Sequence, residues 1–404
     1  MSLPLQGIRA LDWTIWQQGP SATAMLGDLG AEVIKIEPLG GDPGREVVRQ
    51  LMEALKMETP YNFYFEYLNR NKKGIALDLK RPEGREIVYR LAAKSDIFVQ
   101  NYRKGVAERL GLGYQDLKKH NDKIIYASAT GYGPEGPDSA EPSFDYMGLA
   151  RSGIMTTVGG PDTPPTNIVG GIADQLGAIM LAYAVLTAII TRERKGIGQQ
   201  VDTSHLGSMM HLQGLNIQAV MAMGQTLTKS NREEAQSPLW NHYRCEDGKW
   251  ICLGMLEPDR YWHDFCSVMG IQELQNDPRF KDVVGRAENA REIIAILDKR
   301  FATRTREQWM KLLKEGGDFI YTVVNDIADL LSDPQAVENG YVTTYEHPEL
   351  GNIRIMGSPF GMSETPCGIQ DKAPSLSEHT EEVLRDICDY SAAEIDVFRS
   401  DKII

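Results

Sequence analysis

The chain lacks most features that mark secreted, metal-bound, membrane-spanning and nucleic-acid-binding proteins. Its five cysteines, Cys245, Cys252, Cys266, Cys367 and Cys388, are odd in number and widely spaced, with no C-x-x-C pair. That excludes a disulfide framework and a zinc site and fits a reducing cytoplasm, the expected location. The seven histidines show no metal-ligand spacing, so no metal is expected. The N-terminus has no basic segment followed by an apolar one, and no secretory signal is read there. The longest apolar run, Ile179 to Ile190, is interrupted by Tyr183 and Thr187 and is too short to cross a bilayer; it reads as a core helix. Positive charge is scarce, with 43 Lys and Arg against 56 Asp and Glu and a net charge of −13, the wrong sign for a nucleic acid or an anionic membrane.

What is present is a globular composition, 42% hydrophobic and 25% charged, in 404 residues, long enough for two domains. Residues 8–13 read as a buried strand, 20–29 as a helix ending at Gly30, and 32–37 as a second strand. Strands at 74–79, 96–100 and 123–128 follow, with a helix over 82–94. This alternation predicts an α/β fold: a Rossmann-like large domain with a parallel sheet covered by helices. The turn after the first strand excludes a nicotinamide enzyme, although Glu37 lies where a ribose would be held. Thr14 to Pro20 contains one glycine where the dinucleotide fingerprint needs three. A helix is read over 204–223 and a polar linker over 225–236. Asp247-Gly248 turns a hairpin over 240–253, and helices over 258–269, 287–301 and 305–315 complete a smaller α+β domain. The expected division is 1–224 large domain, 225–236 linker, 237–325 small domain, and 326–404 linker and return to the large domain, with a strand over 352–356 and a helix over 377–384.

Asp174 stands out. It lies at the mouth of a long apolar helix, Leu176 to Thr191, read as buried, and follows a loop rich in glycine and proline. Two roles are open. As an N-cap its carboxylate would satisfy an orphaned backbone N–H, a gain of about 0.5–2 kcal/mol. As a nucleophile it needs no activating base, because an aspartate is ionised at neutral pH.

Several segments occur in order along nearly the whole chain: Leu11-Asp12-Trp13 with Gly19-Pro20; Leu29 to Glu37; Asn69-Arg70-Asn71-Lys72-Lys73; Leu77-Asp78-Leu79-Lys80; Asn101-Tyr102; Arg109-Leu110-Gly111; Gly131-Tyr132-Gly133; Ser152-Gly153-Ile154-Met155; Ala173-Asp174; Gly196-Ile197-Gly198-Gln199; and Asp333-Pro334-Gln335. Together they resemble the class III CoA-transferases, which include formyl-CoA, carnitine and bile-acid CoA transferases, with α-methylacyl-CoA racemase as a divergent branch. The resemblance implies an interlocked homodimer and no permanently bound cofactor, with coenzyme A and acyl-CoA as substrates and a carboxylic acid as acceptor. It also makes Asp174 the catalytic aspartate, passing through a mixed anhydride and an aspartyl-CoA thioester. Gln17 and Asp145 match positions near the reacting thioester. Trp16, Leu77, Lys80, Asn101, Tyr102 and Arg109 match the CoA path, with His205 and Asn71, Lys72 and Lys73 as lesser candidates.

Two departures narrow the substrate. Pro38 replaces an arginine found in some members, leaving Arg45 as the substitute for phosphate contact, and the shielding glycine run is absent near 230–240, which disfavours oxalate. Aromatics at Tyr61, Phe63, Tyr64, Phe65, Tyr67 and Trp240 to Tyr243 suggest an apolar or aromatic monocarboxylate. The racemase branch needs a histidine directly before Asp145; here that residue is Phe144, which carries no proton. A catalytically silent subunit of a hetero-oligomer is the remaining alternative, and it would not need Asp174.

Overall fold

The computed structural model describes residues 2–59, 61–227 and 229–404. Six strands, β1 (Arg9–Trp13), β2 (Glu32–Glu37), β3 (Lys72–Ala76), β4 (Ile97–Gln100), β5 (Ile125–Thr130) and β6 (Gln200–Ser204), form one sheet in the order β3-β2-β1-β4-β5-β6, with all neighbours parallel. Helices α1 (Gln18–Asp28), α2 (Gly44–Leu55), α3 (Phe63–Asn69), α4 (Pro82–Ala93), α5 (Val106–Arg109), α6 (Tyr114–Leu117), α7 (Asp145–Ser152) and α8 (Ile172–Lys195) lie between the strands, and α9 (His205–Leu212) and α10 (Gly214–Met223) follow β6. Strands β1 to β5 are buried on both faces, so Ile97 to Val99 and Ile125 to Ala127 read as continuous apolar runs rather than alternating ones, while the edge strand β6 is partly exposed. The chain winds outward from β1 to β3 and restarts beside β1 with β4. In open parallel sheets, ligands bind at the strand carboxyl ends where the order reverses in this way. The register sets Trp13 opposite Gln100, so the loops after β1 and β4 leave the sheet side by side.

Charges inside β1, β2 and β3 are paired. Lys72 Nζ lies 2.8 Å from Asp12 Oδ2, Lys35 Nζ 2.9 Å from Asp42 Oδ2, and Arg45 Nη2 2.6 Å from Glu37 Oε1. Lys72 and Lys35 hold the Asp12 carboxyl below the usual carboxylate range despite its burial.

Two expectations are corrected here. The third strand starts at Lys72, two positions earlier than its apolar run suggests, because Lys72 turns inward to Asp12. The helix carrying Asp174 spans 24 residues, long and apolar enough to cross a membrane by length and composition, and it is not buried all round. Its inner face, with Ala178, Leu181, Val185 and Ile189, packs in a core with Ala22, Leu26 and Ile125. Ile179, Tyr183 and Ile190 face outward, 46%, 64% and 50% exposed.

The chain forms two compact units, Met1–Met155, Asn167–Gln225 and Val337–Ile404 in the first, Thr156–Thr166 and Thr226–Ala336 in the second. In the second unit an antiparallel sheet of β7 (Trp240–Arg244), β8 (Trp250–Gly254) and β9 (Tyr321–Val324) packs with α11 (Pro258–Met269), α12 (Val283–Glu288), α13 (Ala290–Phe301) and α14 (Arg306–Gly316) over Trp262, Phe265, Phe301 and Trp309. Thr156–Thr166 joins this unit through Lys229, whose Nζ donates to Thr163 O and Pro164 O at 2.9 and 2.7 Å. α15 (Pro334–Glu338) leads back to the first unit, where β10 (Val342–His347) and β11 (Gly351–Met356) form a hairpin and α16 (Thr380–Asp386) and α17 (Ala392–Ser400) end the chain. His379 N donates to Gly74 O at 2.9 Å, fixing this return beside β3.

Candidate active site

The loop after β1 is clamped by the loop after β4. Asn101 accepts the Ile15 N–H at 2.9 Å through Oδ1 and donates to Ile15 O at 2.7 Å through Nδ2. The clamped loop holds Trp16 at φ +65°, a left-handed conformation that an aromatic residue adopts at a cost of about 1–3 kcal/mol. Such strain persists only where the surroundings enforce it.

Behind Trp16 stands the start of α8. Its N-cap, Gly171, has φ +69°, and a Cβ there would lie 2.3 Å from Gln17 Oε1, so both the conformation and the close approach require glycine. Gln17 Nε2 donates to Gly171 O at 3.1 Å. The first turn of the helix is capped from α7: Asp145 Oδ1 accepts from Ala173 N at 2.6 Å and from Asp174 N at 3.1 Å. Burial pushes the Asp145 pKa up. Asp174 itself makes no capping bond. Its Oδ1 lies 2.8 Å from His205 Nε2, and Oδ2 has no hydrogen-bond partner among the described residues.

A cavity of about 310 Å³ opens over this carboxylate, lined among others by Ile15, Trp16, Tyr102, Phe144, Asp174 and His205. Tyr102 stacks on Trp13 with ring centroids 4.2 Å apart, and Phe144 meets Trp16 edge to face at 6.1 Å. Tyr64 stands near enough that the Asp174 charge adds to burial in raising its pKa.

The model of CoA-transferase family III matches residues 5–380. The chain belongs to CoA-transferase family III. It is 31% identical to (R)-2-hydroxy-4-methylpentanoate CoA-transferase of Clostridioides difficile over 99% of each chain. It is 32% identical to succinyl-CoA:glutarate CoA-transferase of Mus musculus, over 97% of this chain and 88% of the other. The crystal structure of a CAIB/BAIF family protein from Brucella suis superposes with a TM-score of 0.84 at 27% identity, covering 96% of this chain and all of that one. This CoA-transferase therefore works on CoA thioesters, and the six-stranded parallel sheet is the fold of that family.

Among the residues read from the sequence, Trp16, Asn101, Tyr102, Asp174 and His205 meet at the cavity, with Gln17 and Asp145 directly behind it. Others lie elsewhere. Lys72 is fully buried and donates to Pro20 O and Leu68 O as well as to Asp12, so it offers nothing to a phosphate. Asn71 ties the C-terminal segment down, accepting from Gln370 N and Asp371 N at 2.7 and 2.8 Å. Lys73 pairs with Glu32 and Glu382, and Leu77 is core. Arg45, the substitute for the missing arginine, grips Glu37 through two bonds and is not free; Glu37 is equally unavailable to a ribose. Lys80 and Arg109 are exposed and make no ion pair among the described residues, but neither lines the cavity. Tyr243 belongs to the core of the second unit, and Phe65 is buried beneath the Arg45 guanidinium, 3.9 Å from its ring centroid.

Sequence reading missed Arg103, Lys104, Thr130 and Ser143 in the cavity wall. Arg103 and Lys104 directly follow Asn101-Tyr102, and that adjacency was the available signal. Ser143 is reached only through the fold.

Proposed function

We propose that Asp174 transfers CoA between a donor thioester and an acceptor carboxylic acid by covalent catalysis. The observation that carries this reading is the Asp174 carboxylate itself, set in a cavity at the strand ends with one oxygen held by His205 and the other unbonded. Oδ2 attacks the thioester carbonyl of the donor and CoA leaves as thiolate, giving a mixed anhydride. The thiolate then attacks the aspartyl carbon, the donor acid departs, and an aspartyl-CoA thioester remains. The acceptor carboxylate reverses both steps. Gln17 and Asp145 hold the first turn of α8 so that Asp174 stays aligned, while Trp16, Asn101 and Tyr102 flank the pantetheine arm. Arg103, Lys80 and Arg109 are the cations available to the CoA phosphates. No resident cofactor is needed.

Trp16 and Phe144 at the cavity wall favour an apolar or aromatic monocarboxylate as acceptor, a class that includes the branched hydroxy acid in the name of the Clostridioides difficile relative. Phe144 also weighs against racemisation, since no proton carrier precedes Asp145.

The enzyme acts as an interlocked homodimer in the cytoplasm. Support for a second copy comes from apolar surface on the first unit: Ile179, Tyr183 and Ile190 of α8, with Leu212 beside α10, a helix with no buried residue, whose Leu215 is 85% exposed.

A thermal-shift panel tests the ligand class. An acyl-CoA at about 100 times its dissociation constant is expected to add about 2.7 kcal/mol of stability. Stabilisation by NAD and not by CoA thioesters overturns the reading.

A further inference from the structure

His205 is hydrogen-bonded to one carboxylate oxygen of Asp174. It opens α9, whose N-cap Ser204 accepts from Gly207 N at 2.9 Å, and the next residue, Leu206, donates its backbone N–H to Gly131 O at 3.1 Å. Its Cβ packs on Gly148 of α7, where an added Cβ would come within 2.7 Å. The ring is buried, only 4% of the residue remaining exposed. Nε2 faces Asp174 Oδ1 at 2.8 Å, and Nδ1 faces Ser143 Oγ at 3.4 Å. A carboxylate only accepts, so Nε2 carries the hydrogen that lies between the two groups.

We propose that His205 is the oxyanion donor for the tetrahedral intermediates at the side-chain carbon of Asp174. The inference rests on the reading of Asp174 as nucleophile. With Oδ1 held by His205, Oδ2 forms the new bond to the donor acyl carbon, the C–S bond breaks, and CoA thiolate carries off its electron pair. Thiolate addition to the aspartyl carbon then moves the carbonyl pair onto Oδ1, where Nε2–H is already aimed. Collapse breaks the bond from the aspartyl carbon to Oδ2, releases the donor carboxylate with that oxygen, and leaves the aspartyl-CoA thioester. Attack by the acceptor carboxylate places charge on Oδ1 again and expels thiolate. The first addition, at the donor acyl carbon, puts its charge on the acyl oxygen, out of this bond. His205 therefore serves the aspartyl-carbon steps and not the acyl-carbon steps. Preorganised donors of this kind are worth about 10²–10³ in rate.

Rapid-quench measurement on the full-length enzyme with acetyl-CoA as probe donor, or with whichever acyl-CoA the transfer assay shows to be used, separates these steps. In His205→Met, the first release of CoA is expected at close to the wild-type rate, while formation of the aspartyl-CoA thioester slows about 100-fold. KM for the donor should move little, and His205→Gln, which keeps an N–H donor, should recover at least tenfold. Equal slowing of both steps, which a structural role would give, overturns the inference, as does thioester formation at the wild-type rate. If His205→Met does not fold, His205→Gln carries the test against His205→Leu, with the same outcomes deciding. Absence of any adduct on wild-type Asp174 defeats the nucleophile reading instead.

Discussion

Asp145 caps the helix that carries Asp174, accepting the Asp174 backbone N–H at 3.1 Å and that of Ala173 at 2.6 Å. A carboxylate at a helix start has two possible employments, and here they are divided between two residues. Capping falls to Asp145 on α7, which leaves the Asp174 side chain facing the cavity.

Asp145→Ala should cost about 1.5–3 kcal/mol, the value of hydrogen bonds to a charged group, and lower turnover further by loosening the first turn of α8. Because burial raises its pKa, Asp145 takes up a proton in the folded protein at a pH where the unfolded chain would not. Its own linkage therefore favours the fold as pH falls through that window, opposite in sign to Asp12, whose lowered pKa gives stability that is lost in acid. Activity should fall over the Asp145 window, since a protonated carboxyl accepts less well from two N–H groups. A pH profile of Asp145→Asn checks this: the acid limb should move down, and an unchanged limb assigns it to another group.

Lys72 and Lys80 should behave in opposite ways. Lys72→Met leaves Asp12 buried without its closest cation and should cost about 3–5 kcal/mol in urea unfolding, with CoA affinity unchanged in whatever folded fraction remains. Lys80→Ala, on an exposed residue, should leave stability within about 0.5 kcal/mol and raise KM for acyl-CoA. Weak CoA binding by folded Lys72→Met would return Lys72 to the CoA path.

Subunits interlocked as proposed could not part without unfolding. Tagged and untagged protein, mixed at low concentration without denaturant, should yield no hybrid over hours. Hybrids within minutes contradict interlocking.

The sheet was legible because buried parallel strands leave continuous apolar runs, and Asp174 because a charge beside an apolar helix is conspicuous. Cations misled where they were read as ligand contacts: Lys72 in β3 has its partner Asp12 on β1, which only the sheet order brings into reach, and Arg45 at the start of α2 folds back onto Glu37 at the end of β2. His205 was visible as a residue but not as a neighbour of Asp174, from which it is 31 positions distant in sequence. The half-exposed face of α8 was hidden for a different reason, since an apolar residue awaiting a second surface looks the same in sequence as one already buried.

The most direct measurement is mass spectrometry of residue 174 after reaction with an acyl-CoA. Wild-type enzyme trapped with hydroxylamine or borohydride is expected to carry a modification at Asp174 in the tryptic peptide Ser152–Arg192. Asp174→Asn, which keeps the size of the side chain but not the anionic nucleophile, should bind CoA, show no adduct and transfer nothing. Near wild-type transfer by Asp174→Asn, with deamidation back to aspartate checked and absent, would contradict the mechanism.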